Sequence, residues 1–365
     1  MQQRKIGTRF LSVHRRGGLS AIISRMTICK LFVVSICFGA ALFGAASVSR
    51  ETTQAELVTA FGKSLSESER AAALRPLEDA ERTTWQFVRG ARPGLMLRDM
   101  DAETRLAALK VVASCLSASG REQWRLIQVN EAINGLAEAA AGITPPTFGD
   151  DLYSAILFTT PHERAFAFQF EGHHFVLNVA GADGIVTVTP AFTGAYPVAV
   201  ASGADAGKRP LGAAVAVAFD LVNAFDDAQR KTAKILEGTP AEVLYGVGAD
   251  SKAPDMRGVL RESMTDAQKQ LVDKLLATHA GLLDETIASN QLKEWRTKFA
   301  GQLAFAFVGE ANLAKPHYYR LTSPCFTIEY DCTNGDPNHV HCVWSDAHAN
   351  FGGDALRAHL KNNHS

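Results

Sequence analysis

Two imidazoles and three carboxylates crowd one segment near the C-terminus, Phe326-Thr-Ile-Glu329-Tyr-Asp331-Cys-Thr-Asn-Gly-Asp-Pro-Asn-His339-Val-His341-Cys-Val-Trp344. His-x-His on an extended chain presents two nitrogen ligands to one metal ion. A carboxylate beside them supplies a third ligand or orients an imidazole. Thr333-Asn-Gly-Asp-Pro337 is a turn by composition, so two strands flank it. Side chains alternate faces along a strand, which puts Thr327, Glu329 and Asp331 together and His339, His341 and Val343 together. Pairing Glu329 with His341 sets Asp331 opposite His339, with opposed β-carbons about 5 Å apart. His339 and His341 then act as ligands, and Glu329 or Asp331 as ligand or general base. The same four groups also fit a hydrogen-bonded ladder that only holds the hairpin together, and a different register would separate them.

Gly172-His173-His174 is the second His-rich motif. Neighbouring strand residues point to opposite sides, so one of the two faces a given site unless a bulge at Gly172 turns the chain. Either of them joining His339 and His341 makes a site able to bind Zn, Cu, Mn or Fe, or to move protons. His317-Tyr-Tyr-Arg320 falls in another strand of the same region, which makes His317 and Arg320 candidates for substrate contact; Arg92 and Arg98 are further cations for an anionic group. The default for an arginine is nevertheless a solvated or ion-paired side chain. No Gly-rich nucleotide fingerprint, Gly-x-Ser-x-Gly elbow or Cys-x-x-Cys pair is present, which argues against nucleotide cofactors, common serine hydrolases and thiol redox chemistry.

Helical spacing of apolar residues covers 53–77, 102–118 and 122–141, then 211–235, 265–278 and 284–299, with a short helix over 354–361. Asp101 stands as an N-cap, and Thr265-Asp-Ala-Gln268 is a capping box. Strands are expected over 165–171, 173–179 and 185–189, then 303–308, 317–321, 326–331 and 339–344. No internal repeat is visible. Two groups of strands between helical blocks make an α+β protein: a helical N-terminal part and a largely antiparallel sheet flanked by helices, in one globular body over 51–365.

Of the 365 residues, 47% are hydrophobic and 21% charged, as in ordinary globular proteins. Residues 1–50 hold eight Lys/Arg and no acid, which leaves 29 basic against 38 acidic residues after them, a net charge of −9. That balance argues against nucleic-acid binding, which needs a basic stripe. Residues 31–46 are an apolar or small run preceded by Lys30 and ending in Gly44-Ala45-Ala46. It is shorter than the roughly 20 residues of a spanning helix, which makes 1–50 an extension carrying an export signal, with Met26 as a natural start. The body is thus expected in the periplasm or outside the cell, touching a membrane only if the signal is retained. Cys325, Cys332 and Cys342 lie within eighteen residues, and an oxidising compartment favours a local disulfide among them.

From about Glu81 onward the chain resembles an uncharacterised bacterial family, the domain of unknown function numbered 3500. The resemblance rests on Trp85 with Arg92-Pro-Gly94, on Gly172-His173-His174 with Asn178, and on Pro190, Phe192, Gly194 and Pro197. His317-Tyr-Tyr-Arg320, Glu329-Tyr-Asp331, His339-Val-His341 and Trp344 carry it further. It implies that the polar hairpin and Gly-His-His belong to one pattern. Cys332, Cys342 and Ser345 depart from it, standing where Asn, Ser and Arg are usual. The leading expectation is an exported metal-dependent enzyme for a small molecule, using one divalent or transition metal and no nucleotide. Its competitors are a non-catalytic binding or scaffolding protein with a structural His–carboxylate ladder, and a metal carrier.

Overall fold

The computed structural model describes residues 53–361 apart from 91, 160–164, 250, 354–355, 358 and 360. The run at 31–46 read as an export signal lies outside the described residues, as does part of the helix expected over 354–361.

Capping decides where the helices start and break. The helix expected over 53–77 is two, α1 (Gln54–Ser64) and α2 (Glu67–Ala73), because Ser66 and Glu69 form a second capping box after the one at Thr53 and Glu56. Asp101 caps α3 (Ala102–Cys115) as expected, and Ser117 opens α4 (Ala118–Ala140) four residues early. Another capping box, Asp226 with Gln229, splits the helix expected over 211–235 into α5 (Gly212–Asn223) and α6 (Asp227–Ala233). Thr265 and Gln268 open α7 (Asp266–Ala280), and α8 (Glu285–Gln291) and α9 (Lys293–Lys298) follow. Among the described residues, no helix is long and apolar enough to cross a membrane.

The strands are β1 (Leu74–Arg75), β2 (Leu95–Met96), β3 (Ser154–Thr159), β4 (Phe166–Glu171), β5 (Phe175–Ala182) and β6 (Ile185–Ala195). After them come β7 (Val259–Leu260), β8 (Ala304–Gly309), β9 (His317–Thr322), β10 (Phe326–Cys332) and β11 (Val340–Asp346). The sequence missed β3 because it is buried on both faces and so shows no alternation. It also ended β6 at Thr189. Pro190 is tolerated mid-sheet because Asn178 alone faces residues 189–190, a bulge at which no ladder N–H is required.

Both strand groups join one sheet in the order β1-β3-β4-β5-β6-β11-β10-β9-β8-β7, with β2 added to β3. All pairs are antiparallel except β1 with β3. The protein is α+β. One sheet face packs on helices: Phe61 of α1 and Trp124 of α4 lie edge-on to Phe168 and Phe170, and Phe219 of α5 lies edge-on to Phe307. The other face is covered by irregular chain, with Trp85, Phe87, Val243 and Tyr245 packed on Val176, Phe192 and Val343.

The topology contains the repeat that the sequence hides. β3–β6 and β8–β11 are two four-stranded meanders, and the same pieces precede each. Gly94 and Gly258 lead into β2 and β7, which pair with the first strand of their meander, Leu95 to Ala155 and Val259 to Phe305. A turn of 3-10 helix then runs to Met100 or Met264 and to the N-caps Asp101 and Thr265 of α3 and α7. The hairpins match as well, with Gly172 N–H donating to Phe175 O at 2.8 Å and Ser323 N–H to Phe326 O at 2.9 Å. The halves share turns, caps, and a glycine and a methionine at equal spacing, within side chains that otherwise differ, so it is the backbone that makes the relationship plain.

No disulfide forms among Cys325, Cys332 and Cys342; each is a free, buried thiol, which corrects the expectation of a local bridge. Cys332 pairs across the hairpin with Val340 and Cys342 with Tyr330, and their sulfurs turn to different partners. Cys332 Sγ accepts the His317 N–H at 3.4 Å, whereas Cys342 Sγ faces His279 Nδ1 at 3.8 Å.

Gly258 tests the shared lead-in. Its φ is +134° and a β-carbon there would sit 2.5 Å from Phe305 O, a backbone atom that cannot swing away. Gly258→Ala is expected to lower stability by about 2 kcal/mol or more in urea unfolding at unchanged m-value. An unchanged midpoint would show that β7 is free to move off β8.

Candidate metal centre

The Gly172 reverse turn brings His173 and His174 to one side. Both are turn residues between β4 and β5, so strand alternation does not part them, and their rings lie 3.9 Å apart. The C-terminal hairpin adopts a register two residues from the expected one: Asp331 faces His341 and Glu329 faces Val343. The reason is that His339 closes the turn, its N–H donating to Asp336 O and its carbonyl accepting from Thr333, so β11 begins only at Val340. Gly194 of β6 stands opposite His341 and donates its N–H to His174 O at 2.8 Å. A β-carbon at 194 would lie 2.7 Å from His174 Cδ2 and 3.0 Å from His341 Cδ2, so its absence makes room for both rings.

A continuous chain of contacts results. Glu131 Oε1 lies 2.5 Å from His174 Nδ1, and His174 Nε2 lies 3.1 Å from His339 Nε2. His339 Nε2 is also 3.0 Å from His341 Nε2, and His341 Nδ1 is 2.7 Å from Glu242 Oε1. A carboxylate accepts a proton from Nδ1–H, which leaves Nε2 of a neutral imidazole as a bare lone pair. Both outer rings therefore aim lone pairs at His339 Nε2, which carries at most one proton and satisfies at most one of them. Two sets of side chains here could hold a metal ion, His173/His174/His339 and Glu242/Asp331/His341, with donor atoms within 4.8 Å of one another in each. The contact between His339 and His341 joins the two sets.

Electrostatics keep His173, His174 and His339 in their ligating form. Burial, then the neighbouring His173, pushes His174 down to about 3. Burial, then His341 and His174, pushes His339 down to about 2. Burial also lowers His173. Burial alone would raise Glu131, but contact with His174 and His173 outweighs it and leaves the carboxyl ionised, at about 2. His174 and His341 are buried, whereas His173 and His339 keep partial access to solvent, so the cluster opens on their side. Phe87 and Phe192, stacked at 4.2 Å, meet His341 edge-on, and Tyr196 lies 5.1 Å from His339.

The other expected site residues lie elsewhere. Glu329 is fully buried, with one oxygen accepting the Tyr245 N–H and the other the Tyr318 hydroxyl at 2.7 Å, and it does not reach the imidazoles. Asp331 does, through His341 and Glu242, and burial followed by the charges of Glu242 and Glu329 pushes it up to about 9. Arg320 shares the Glu329 face but is sealed in by Asp255, at 3.1 Å from Oδ2. His317 is on the opposite face, stacked on Tyr330 at 5.5 Å. Two partners went unnoticed in the sequence. Glu131 carried a faint signal, an acid in the apolar stripe of Trp124 and Ile127 on α4. Glu242 sits in irregular chain and carried none. A groove of about 780 Å³ lies away from these residues, beside the Arg261–Asp273 pair and Trp295, and its lining holds no imidazole or thiol.

Fold and site together define an α+β protein with a buried imidazole–carboxylate cluster that could hold a metal ion. The chain belongs to the family described as Protein of unknown function (DUF3500), which it matches over residues 48–353. No curated protein and no solved structure matches it.

Burial, resisted by the Tyr318 and Tyr245 hydrogen bonds, raises Glu329 from 4.5 to about 7. The unfolded carboxyl ionises near 4.5 while the folded one keeps its proton to about 7, so this stabilisation is complete below 4.5 and lost as pH rises through 7. On the order of 3 kcal/mol is expected to disappear over that window. Glu329→Gln removes the titration, so urea unfolding of this variant should lose less stability than wild type between acid and neutral pH. Parallel curves would show that Glu329 is ionised in the fold.

Proposed function

We propose that this protein is an exported metal-dependent enzyme acting on a small molecule, with His174, His339 and His341 holding one divalent or transition metal ion, Zn, Cu, Mn or Fe. The observation that carries the reading is the approach of His174 Nε2 and His341 Nε2 to His339 Nε2, with His174 and His341 each held at Nδ1 by a carboxylate. Metal-bound imidazoles are commonly oriented this way, and the carboxylate raises ligand basicity while fixing the tautomer. Bound there, the metal would supply Lewis-acid activation of water or of a substrate oxygen. The chain's own groups do the rest. Glu131 and Glu242 lock two rings, Gly194 leaves the space for them, and Phe87 and Phe192 keep water from the buried side. Partly exposed His173, with its ring 6.3 Å from that of His339, is the group at the open side able to take or return a proton. Export is supported by the basic extension and short apolar run at 31–46, and the acidic body supports a small-molecule partner over nucleic acid.

Mass spectrometry of the purified chain should find close to one equivalent of metal. The His339→Ala/His341→Ala variant should lose it while keeping its far-UV circular dichroism. A well-folded wild type that neither carries nor takes up Zn, Cu, Mn or Fe would overturn the reading in favour of a structural ladder.

A further inference from the structure

His341 has partners on both sides of its ring. Its Nε2 lies 3.0 Å from His339 Nε2 and faces the three-imidazole centre, whereas Nδ1 points to Glu242 Oε1 at 2.7 Å. Asp331 stands directly opposite His341 in the β10–β11 ladder. One donor atom each from Glu242, Asp331 and His341 lie within 4.8 Å of one another. Asp331 is fully buried. Its Oδ1 accepts the Thr333 hydroxyl at 3.3 Å and the His341 amide acts on the carboxyl, yet Oδ2 completes no hydrogen bond with the described residues. A buried carboxylate oxygen without a donor is costly, and so are two carboxylates side by side; a proton or a cation between them relieves both.

Glu242 is fixed from its own connector. The Val243 N–H donates to Oε1 at 2.9 Å, and the carbonyl of Ala241 accepts the Asn334 N–H at 2.8 Å, which ties the connector to the hairpin turn. Both hydrogen bonds to this carboxylate fall on Oε1, and none from the described residues reaches Oε2. Two ligands about 2.1 Å from one ion and at right angles lie about 3 Å apart, close to the 2.7 Å between His341 Nδ1 and Glu242 Oε1. The Glu242 side chain is 39% exposed, which gives an ion a way in from solvent. Glu329, on the same face, is turned to Tyr245 and Tyr318 and takes no part.

We propose that Glu242, Asp331 and His341 hold a second metal ion, with His341 shared between the two ions through its two ring nitrogens. The inference rests on the proposed metal-dependent reading only for the first ion; the carboxylate-side donors stand without it. Binding at Nδ1 sends that nitrogen's proton to solvent, whereas the first ion meets a bare Nε2, so the second ion binds more weakly and fills after the first. Two carboxylates with one imidazole suit Zn, Mn and Fe better than Cu.

Equilibrium dialysis of the purified full-length chain against rising Zn²⁺, and separately Mn²⁺, with bound metal counted by mass spectrometry, tests the assignment. Wild type should saturate at close to two equivalents, the second at higher free metal. Asp331→Asn and Glu242→Gln, which keep side-chain shape and remove a charge, should each stop at one while retaining the wild-type far-UV circular dichroism. If Asp331→Asn fails to fold, Glu242→Gln on the partly exposed connector decides alone. His339→Ala should keep an equivalent that adding Glu242→Gln removes. A single wild-type equivalent, lost in His339→Ala and kept in both carboxyl variants, would overturn this proposal and leave the first site standing. A second equivalent undiminished in both carboxyl variants would be adventitious surface binding and would overturn it too. No uptake by well-folded wild type would end both readings and assign the carboxyls a shared proton. One equivalent lost in the carboxyl variants but kept in His339→Ala would sustain the carboxylate site and end the three-imidazole one.

Discussion

The antiparallel pairing of β6 with β11 joins two meanders that would otherwise lie in separate sheets, and the imidazole cluster is built across this seam. His174 comes from a turn of the first meander, and His339 and His341 from the second. The pair Gly194–His341 lies in the seam itself, and the Gly194 amide ties down the His174 carbonyl. A one-residue slip between β6 and β11 would turn His341 to the helical face, because side-chain period along a strand is two. The glycine matters as much as the histidines, since any side chain at 194 would occupy the space in which two rings approach.

Burying three imidazoles together is unfavourable unless their protons and lone pairs are assigned. Two carboxylates do this from opposite ends of the chain of contacts, Glu131 from α4 on one side and Glu242 from irregular chain on the other. Burial discourages the charged imidazole: at His174 it outweighs the adjoining Glu131, and at His339 the neighbouring imidazoles add to it, so both rings stay neutral. The outcome is an array rich in lone pairs and poor in protons, the electronic character that attracts a cation.

The two sheet faces divide labour. The helical face is a packed hydrophobic layer of Phe168, Phe170, Phe175, Phe305 and Tyr330. The opposite face carries Gln169, Glu171, Asn178, Arg320, Glu329 and His341, all buried beneath connectors rather than helices. Irregular chain offers unpaired amides and carbonyls where helices would present only side chains. Gln169 donates to the Thr84 carbonyl at 2.7 Å, Arg320 to the Asp255 carbonyl at 2.8 Å, and Glu329 accepts the Tyr245 amide. Gln169, Arg320 and Glu329 survive on this face because connector backbone answers them.

Local chemistry was legible in the sequence alone. It determined the α+β class, the caps at Asp101 and Thr265, the C-terminal hairpin, the shared face of Glu329, Asp331 and His341, and the two His motifs, since each depends on near neighbours in the chain. Tertiary structure decided which of these groups meet. The hairpin register follows from how the turn closes at His339, and the common side of His173 and His174 follows from a reverse turn at Gly172. The withdrawal of Glu329 into the Tyr245 and Tyr318 pocket, the recruitment of Glu131 and Glu242 and the joining of the meanders all involve residues far apart in sequence. Such contacts depend on burial and on the competition for hydrogen-bond partners in the packed chain, which spacing along the sequence does not encode.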